Sequence, residues 1–247
     1  MKLFRRQPSL PRGLRIYAIG DVHGRFDLLA LLLDRVRQDA ALNPAKSTKL
    51  IFLGDVVDRG PDSAPVVQTL MAATHSDNLI VLRGNHEQTM LAALSGDRDA
   101  VDIWLRFGGD ATLRSWGVSE ADLKGGREAL IEIGRAKVGD DVLNWLRSLP
   151  LSHRSGDFFF VHAGVRPECR LSAQEPVDLM WIREEFLEST DMHEAVIVHG
   201  HSISEVGPEI LRHRIGIDTG AYRTGRLAAV GFEGPRQWVV MSELPSS

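Results

Sequence analysis

The chain has 247 residues, of which 43% are hydrophobic and 25% charged, a composition typical of a folded globular protein. Its formal net charge of −4 argues against a protein that binds nucleic acid mainly through a basic surface, because that mode needs clustered lysine and arginine. The longest apolar run, residues 28–33, is far shorter than the roughly 20 residues that a membrane-spanning helix needs. We therefore expect neither a nucleic acid nor a membrane as a partner.

The N-terminal residues 1–13 are basic, and we predict a short surface arm there rather than a secretion signal, since no long apolar stretch follows. The single cysteine, Cys169, cannot form an internal disulfide, so a reducing cytoplasm is the simplest expectation. No repeat or linker-like composition interrupts the chain. A single domain over residues 1–247 is predicted.

Three apolar runs in the first third of the chain each end in glycine and precede a helical pattern. They are LRIYAIG, KLIFLG and NLIVLRG, ending at Gly20, Gly54 and Gly84. The helices are predicted over 26–38, over 63–74 and from residue 87. Each unit is about 30 residues long, the size of a βαβ element with a buried parallel strand. The sequence therefore predicts an α/β start.

Residues 98–149 carry helical patterns that glycines interrupt, and they contain no strand-like run. We predict a helical excursion that forms one wall of a substrate groove, with Trp104 and Trp116 either in the core or against substrate. After Pro150 come five strand-like runs, with the helix-like DLMWIREEFL after the first: DFFFVHAG, AVIVHGHS, RIGIDTG, RLAAVGFE and RQWVVMSE. The predicted class is α/β with a β-rich C-terminal half.

Metal-type ligands follow the strand-like runs, in the motifs GDVHG, GDVVDRG, GNHE, VHAG and HGHS. The carboxyl ends of parallel strands converge on one crevice, so these side chains should meet in space. Each motif alone could be a turn or a buried histidine, but the five in this order predict a site with mixed oxygen and nitrogen donors. Such a set suits two divalent ions, bridged by Asp55 of the middle motif, which is a device for phosphoester hydrolysis.

The stretch VIVHGHS offers two histidines, His199 and His201, for one ligand position. In three earlier motifs the order is strand, glycine, ligand, and Gly200 followed by His201 repeats that register. We assign His201 as the ligand and expect His199 in the core or behind the ligand shell.

The motifs, which run from residue 20 to residue 201, resemble those of the metallophosphoesterase superfamily and specifically its phosphoprotein phosphatase branch. Within that branch the chain is similar to the bacterial and phage lambda type of serine/threonine protein phosphatase, and also to the Rhizobiales-like group. The resemblance implies a calcineurin-like sandwich of two mixed β-sheets flanked by helices. It also implies two divalent metal ions, with Mn²⁺ preferred and iron or zinc as alternatives.

The resemblance implies a role for each motif residue. The metal ligands are Asp21 and His23 for the first ion, Asp55 as the bridge, and Asn85, His162 and His201 for the second ion; His86 is the general acid, Asp58 its partner, and Arg59 and Arg183 bind phosphate. A histidine suits proton donation at neutral pH, and an aspartate partner raises its pKa. The alternatives are a surface salt bridge for Arg59 and a helix-surface pair with glutamate for Arg183.

The predicted reaction is in-line attack by a metal-bridging hydroxide on a phosphorylated protein, at serine or threonine with tyrosine as a further option, or on a small phosphoester. The alternative is hydrolysis of symmetrical dinucleoside tetraphosphates at the same centre. That group commonly departs from VDRG and ends its third motif in GNHD, so Asp58 and Glu87 favour the phosphomonoesterase. A catalytically silent metal-binding scaffold and a nucleic-acid phosphodiesterase are weaker options, the latter because of the acidic balance.

Overall fold

A computed structural model describes residues 7–74 and 76–243 of the chain. The strands are β1 (Leu14–Ile19), β2 (Ser47–Phe52), β3 (Leu79–Val81), β4 (Ser152–Ser155), β5 (Phe158–Val161), β6 (Val196–His199), β7 (Glu209–Ile210), β8 (Arg214–Gly216), β9 (Arg226–Glu233) and β10 (Arg236–Glu243). The α-helices are α1 (Phe26–Leu42), α2 (Ser63–Ala73), α3 (Asn85–Leu94), α4 (Arg98–Arg106), α5 (Gly109–Ser115), α6 (Glu120–Leu123), α7 (Arg127–Val138), α8 (Asp140–Ser148), α9 (Pro176–Trp181), α10 (Glu184–Leu187) and α11 (Ala221–Thr224).

The strands form two mixed sheets. The first has the order β10-β9-β1-β2-β3, in which β1, β2 and β3 are parallel and β9 and β10 are antiparallel. The second has the order β4-β5-β6-β8-β7, with β5, β6 and β8 parallel between antiparallel edge strands. The parallel strands of each sheet therefore send their carboxyl ends to one side of that sheet.

The two sheets pack face to face, and helices cover the outside. Alternate residues of β1 show both contacts: Ile16 and Ala18 lie in the core between the sheets, whereas Tyr17 and Ile19 lie in the core under the helices. Both faces of β1 are buried, which explains its unbroken apolar run. This architecture confirms the predicted fold class of two mixed β-sheets flanked by helices.

The first three predicted strand and helix pairs match β1–α1, β2–α2 and β3–α3, and the later strand-like runs match β5, β6, β8, β9 and β10. The short edge strands β4 and β7 were missed, because SHRS and EI are too polar or too short to form a pattern. The helix-like run DLMWIREEFL forms parts of two short helices, because the helical backbone is interrupted between α9 and α10 at Arg183. Its backbone there, with φ −134° and ψ −96°, is not helical.

The segment 98–149 contains helices α4 to α8, and α4, α5, α7 and α8 pack against α2 and α3. Residues 1–6 of the predicted N-terminal arm lie outside the described residues. The later part is docked rather than only lying on the surface: Leu10 is buried between the sheets, and its N–H donates to the Gly234 carbonyl at 3.0 Å. Within the described ranges, no helix combines the length and the apolar character needed to cross a bilayer.

Candidate active site

The predicted site residues meet at one cavity of about 330 Å³. It is lined by nine of them, namely Asp21, His23, Asp55, Asp58, Arg59, Asn85, His86, Arg183 and His201. The tenth, His162, is fully buried beside Asn85, with its Nε2 2.8 Å from the Asn85 Oδ1. The strand-end loops therefore bring together side chains that lie up to 180 residues apart.

Two groups of ligand atoms share Asp55. One comprises His23, Asp55 and His86, and the other Asp55, His162 and His201; within each group the atoms lie within 4.8 Å of one another. Asp21 is not a member of the first group, which contains His86 instead. The Asp21 carboxylate lies nearby and accepts the His201 N–H at 3.1 Å. The shared carboxylate is the arrangement expected of a bridging ligand between two ions.

The tautomers of two histidines suit metal binding. The Nδ1 of His23 lies 2.9 Å from the Val57 carbonyl and that of His162 lies 2.8 Å from the Leu53 carbonyl. A carbonyl only accepts, so each Nδ1 carries the proton and each Nε2 presents a lone pair. The His162 Nε2 faces the Asn85 Oδ1 at 2.8 Å, so two acceptors meet at a distance that a bound cation would relieve.

Burial keeps these imidazoles neutral. It lowers the pKa of His23 to about 3 and that of His201 to about 2, and it lowers the pKa of His162 as well. Burial also raises the pKa of Asp21 well above its usual range, and the nearby Asp218 and Asp55 carboxylates act in the same direction. A cluster of neutral imidazoles and crowded carboxylates is a donor set for cations, so the residues fit two metal ions.

Close backbone packing holds two of the carboxylates in place. A Cβ at Gly84 would lie 2.2 Å from the Asp55 Oδ1, and a Cβ at Gly200 would lie 2.1 Å from the Asp21 Oδ1. Any side chain at either glycine would therefore displace a carboxylate. This is a physical reason for glycine immediately before Asn85 and before His201.

Strained backbone is concentrated at the predicted site residues. Six non-glycine residues of the described chain have positive φ, and five belong to the predicted site: His23 (45°), Asp55 (50°), Asp58 (72°), Arg59 (68°) and His201 (61°). Side chains rarely adopt this left-handed region unless the surrounding structure enforces it, and such strain is typical of functional sites.

His86 and Asp58 form a buried pair. The His86 Nδ1 donates to the Asp58 Oδ2 at 2.7 Å. Burial lowers the pKa of His86, but the Asp55 and Asp58 carboxylates outweigh it, so the pKa lies above its usual value. The other oxygen, Asp58 Oδ1, accepts from Trp104 Nε1 at 2.9 Å and from Thr112 Oγ1 at 2.6 Å. Trp104 is thus both a core residue and a support for this carboxylate, whereas Trp116 packs only against the core.

The two arginines contact different ligand groups. An Nη of Arg59 lies 3.1 Å from the His86 Nε2, and its guanidinium stacks on Tyr222 with 4.5 Å between the Cζ and the ring centroid. The Nε of Arg183 donates to the His201 Nε2 at 3.0 Å, so Arg183 is not the helix-surface partner of a glutamate. Each ligand group therefore has one arginine beside it.

His199 lies behind the site and does not line the cavity. Its Nδ1 donates to the Gly200 carbonyl at 3.0 Å, and its ring packs edge-on against Phe186 with 5.0 Å between centroids. His201 alone of the two faces the ligand group, as the glycine register suggested.

The sequence analysis did not predict contributions from Asp218 or from Tyr222, whose ring stacks on Arg59, and it used Glu87 only to compare motifs, without a structural role. The buried Glu87 carboxylate accepts four backbone N–H groups, from Asp55, Val56 and Val57 at 2.9, 2.8 and 3.2 Å and from Gly84 at 2.8 Å. Asp218 is buried and lines the cavity, two residues after the end of β8. The run RIGIDTG has the same pattern of an apolar strand followed by an acid, so that signal was available for Asp218.

Comparison with known proteins gives the family. The sequence profile of the calcineurin-like phosphoesterases matches residues 14–227. Among curated relatives, the symmetrical bis(5'-nucleosyl)-tetraphosphatase of Delftia acidovorans is 34% identical over 171 residues, covering 67% of this chain and 49% of that protein. The protein of the same name from Methylococcus capsulatus is 32% identical over 154 residues, covering 62% and 44%. The chain spans about half the length of these curated relatives.

Solved structures share the fold at lower identity. A putative diadenosine tetraphosphatase has a TM-score of 0.64 at 21% identity, covering 94% of this chain and 95% of its own. A cold-active protein tyrosine phosphatase has a TM-score of 0.60 at 18%, covering 94% and 81%, and a Saccharomyces cerevisiae protein serine/threonine phosphatase has 0.56 at 16%, covering 99% and 86%. The curated relatives thus bear the tetraphosphatase name rather than that of the lambda-type protein phosphatase. The chain belongs to the calcineurin-like phosphoesterase family of metal-dependent hydrolases.

Proposed function

We propose that this chain hydrolyses symmetrical dinucleoside tetraphosphates at the central phosphoanhydride. The observation that carries the proposal is the placement of one arginine beside each ligand group, Arg59 at His86 and Arg183 at His201. A tetraphosphate is a long polyanion, and two arginine forks, one beside each of the ligand groups that share Asp55, can hold it at two points. The name shared by the curated relatives supports the same substrate class.

Bound divalent ions would lower the pKa of water and neutralise phosphate oxygens. Asp21, His23 and Asp55 would hold one ion, and Asp55, Asn85, His162 and His201 the other; the mixed donor set suits Mn²⁺, iron or zinc. One water adds across the central P–O–P bond, so that its oxygen joins one phosphorus and a proton goes to the leaving oxygen. The products are two nucleoside diphosphates.

His86 would supply that proton from Nε2. In the present arrangement an Arg59 Nη lies 3.1 Å from this nitrogen, so Nε2 accepts from it. A substrate phosphate that draws the Arg59 guanidinium away leaves Nε2 free to take up a proton from solvent, which it then passes to the leaving oxygen. Asp58 on Nδ1 then stabilises the imidazolium at 2.7 Å.

A phosphoprotein phosphatase is the second candidate, and the buried Asp58–His86 pair favours it. A serine or threonine alkoxide is a poor leaving group and needs a proton donor, whereas a nucleoside diphosphate leaves readily without one. A buried His86–Asp58 proton donor is therefore more useful for hydrolysis of a phosphomonoester than for hydrolysis of an anhydride.

The two candidates can be separated by comparing kcat/KM values. The metal is first removed with a chelator, and the chain is then reloaded with Mn²⁺ or Zn²⁺. The substrates are diadenosine tetraphosphate and phosphoserine, phosphothreonine and phosphotyrosine peptides. We expect the tetraphosphate to be preferred and to yield only ADP. A preference for the peptides would replace the first candidate by the second, and failure of every divalent ion to restore activity would contradict the metal-dependent mechanism.

A further inference from the structure

Two large aromatic side chains remain exposed at the mouth of the cavity. Phe107 is 50% exposed and Trp181 is 41% exposed, and both line the cavity that holds the ligand groups. Within residues 7–74 and 76–243, no other phenylalanine or tryptophan is among the exposed large hydrophobic side chains. Apolar rings left in water at a polar site are typical of a surface that binds a flat partner.

Phe107 is fixed next to Arg59. It caps the C-terminal end of α4, three residues after Trp104, so the two rings lie on the same side of the helix end. The following residue, Gly108, accepts the Arg59 N–H at 3.1 Å, and a Cβ at Gly108 would lie 2.7 Å from the Arg59 nitrogen. The helix end that carries Phe107 is therefore packed directly on the backbone of Arg59.

Trp181 lies close to Arg183 in the chain. It ends α9, two residues before Arg183, whose Nε donates to His201. Arg59 and Phe107 thus lie beside the His23, Asp55 and His86 group, and Arg183 and Trp181 beside the Asp55, His162 and His201 group. Each of the two ligand groups that share Asp55 therefore has one cation for phosphate and one exposed aromatic ring close to that cation in the chain or the fold.

We infer that Phe107 and Trp181 are stacking platforms for the two nucleobases of a dinucleotide, one on each side of the metal centre. This inference rests on the proposed function. Bases stack on aromatic faces without regard to sequence, and the neighbouring arginine would bind the phosphates of the same half. With both bases held, the middle of the tetraphosphate lies over Asp55, which explains why cleavage would be symmetrical.

The test uses Phe107→Ala and Trp181→Ala in the metal-loaded full chain, with diadenosine tetraphosphate and inorganic tetraphosphate as substrates. We expect each alanine variant to raise KM for diadenosine tetraphosphate by about 5- to 20-fold at a nearly unchanged kcat. The KM for inorganic tetraphosphate, which has the phosphates without the bases, stays at the wild-type value. Phe107→Tyr and Trp181→Phe keep an aromatic face and restore a KM near that of the wild type.

Matched controls come from the same helices. Ile103 on α4 and Val177 on α9 are 43% and 60% exposed and do not line the cavity, so Ile103→Ala and Val177→Ala should leave both KM values unchanged. An unchanged thermal midpoint in the alanine variants separates loss of stacking from loss of fold.

The outcomes separate this inference from the proposed function. If the wild type cleaves diadenosine tetraphosphate but either alanine variant leaves its KM unchanged, the two-platform inference is wrong and the proposed function stands. Equal rises in KM on both substrates would also overturn the inference, because bases would not be the cause. If the wild type cleaves only phosphopeptides, the proposed function fails and this inference fails with it.

Discussion

The floor of the cavity and its wall are built in different ways. The floor consists of the strand-end residues that would hold metal, and these are almost completely buried, several of them with positive φ. The wall consists of the end of α4, the end of α9 and the turn before α10, with α5 packed behind α4, and Phe107 and Trp181 stay exposed there. A buried backbone that many contacts constrain suits metal ligands, because the distances between their donor atoms must not vary. Exposed helix ends suit contact with a substrate.

The two regions are nevertheless connected. Trp104 of the wall and Thr112 of α5 behind it both donate to Asp58 of the floor, which in turn bonds His86. The helical segment therefore both faces the substrate and holds the acid in place. Substitutions in the floor should affect metal binding or chemistry, and substitutions in the wall should affect orientation or substrate binding.

The largest effect is expected at the shared ligand of the floor. Asp55→Asn removes the charge that both ligand groups share, so bound metal should fall below two ions per chain and kcat by about 10⁴-fold, because metal chemistry contributes several kcal/mol. Elemental analysis and initial rates measure this. Asp110→Asn, an exposed carboxylate of α5, is the control. Two tightly bound ions and a normal rate in Asp55→Asn would remove Asp55 from the centre.

The next largest effect is expected at the proton donor. His86→Asn should keep metal content near normal and slow substrates with poor leaving groups by roughly 10³-fold, with a much smaller loss on p-nitrophenyl phosphate. The slope of log kcat against leaving-group pKa measures the difference. Equal losses on all substrates would show that His86 does not act as an acid.

A smaller effect is expected behind the floor, at Glu87. Glu87→Asp keeps the charge but shortens the side chain by one methylene, so it cannot reach the four N–H groups that hold the Asp55 loop and Gly84. Metal affinity should fall by about 10- to 100-fold, as measured by calorimetric titration, and saturating Mn²⁺ should restore most of kcat. Glu128→Asp, at an exposed position, is the control. Unchanged affinity would mean that this loop holds its shape without Glu87.

The smallest effect is expected where the wall supports the floor. Thr112→Val keeps the shape but loses the hydroxyl that donates to Asp58 and accepts its N–H at 2.9 Å. We expect a fall in kcat of about 10-fold on poor leaving groups with KM unchanged, since Trp104 and Ser63 still contact Asp58. Thr74→Val, on a remote helix end, is the control. A change in KM alone would place Thr112 in substrate binding instead.

Most of the floor could be predicted from the sequence, because each ligand lies within four residues of a strand end and short-range register decides its placement. Asp21, Asp55, Asn85 and His201 each follow a glycine that the structure requires for close approach or a sharp turn. The wall could not be predicted in the same way, since the break at Arg183 and the direction of Trp104 depend on contacts with residues far away in the chain.

The amino-acid sequence by itself determined the α/β class, the family and the chemical character of the ligands, since these depend on strand periodicity and on residue types at strand ends. Only the tertiary structure decided that Asp58 is held by α4 and α5, that each ligand group has its own arginine, and that Phe107 and Trp181 share one cavity. The physical reason is that these hydrogen-bonded side chains lie 18 to 54 residues apart, so packing selects the partners and no local pattern encodes them.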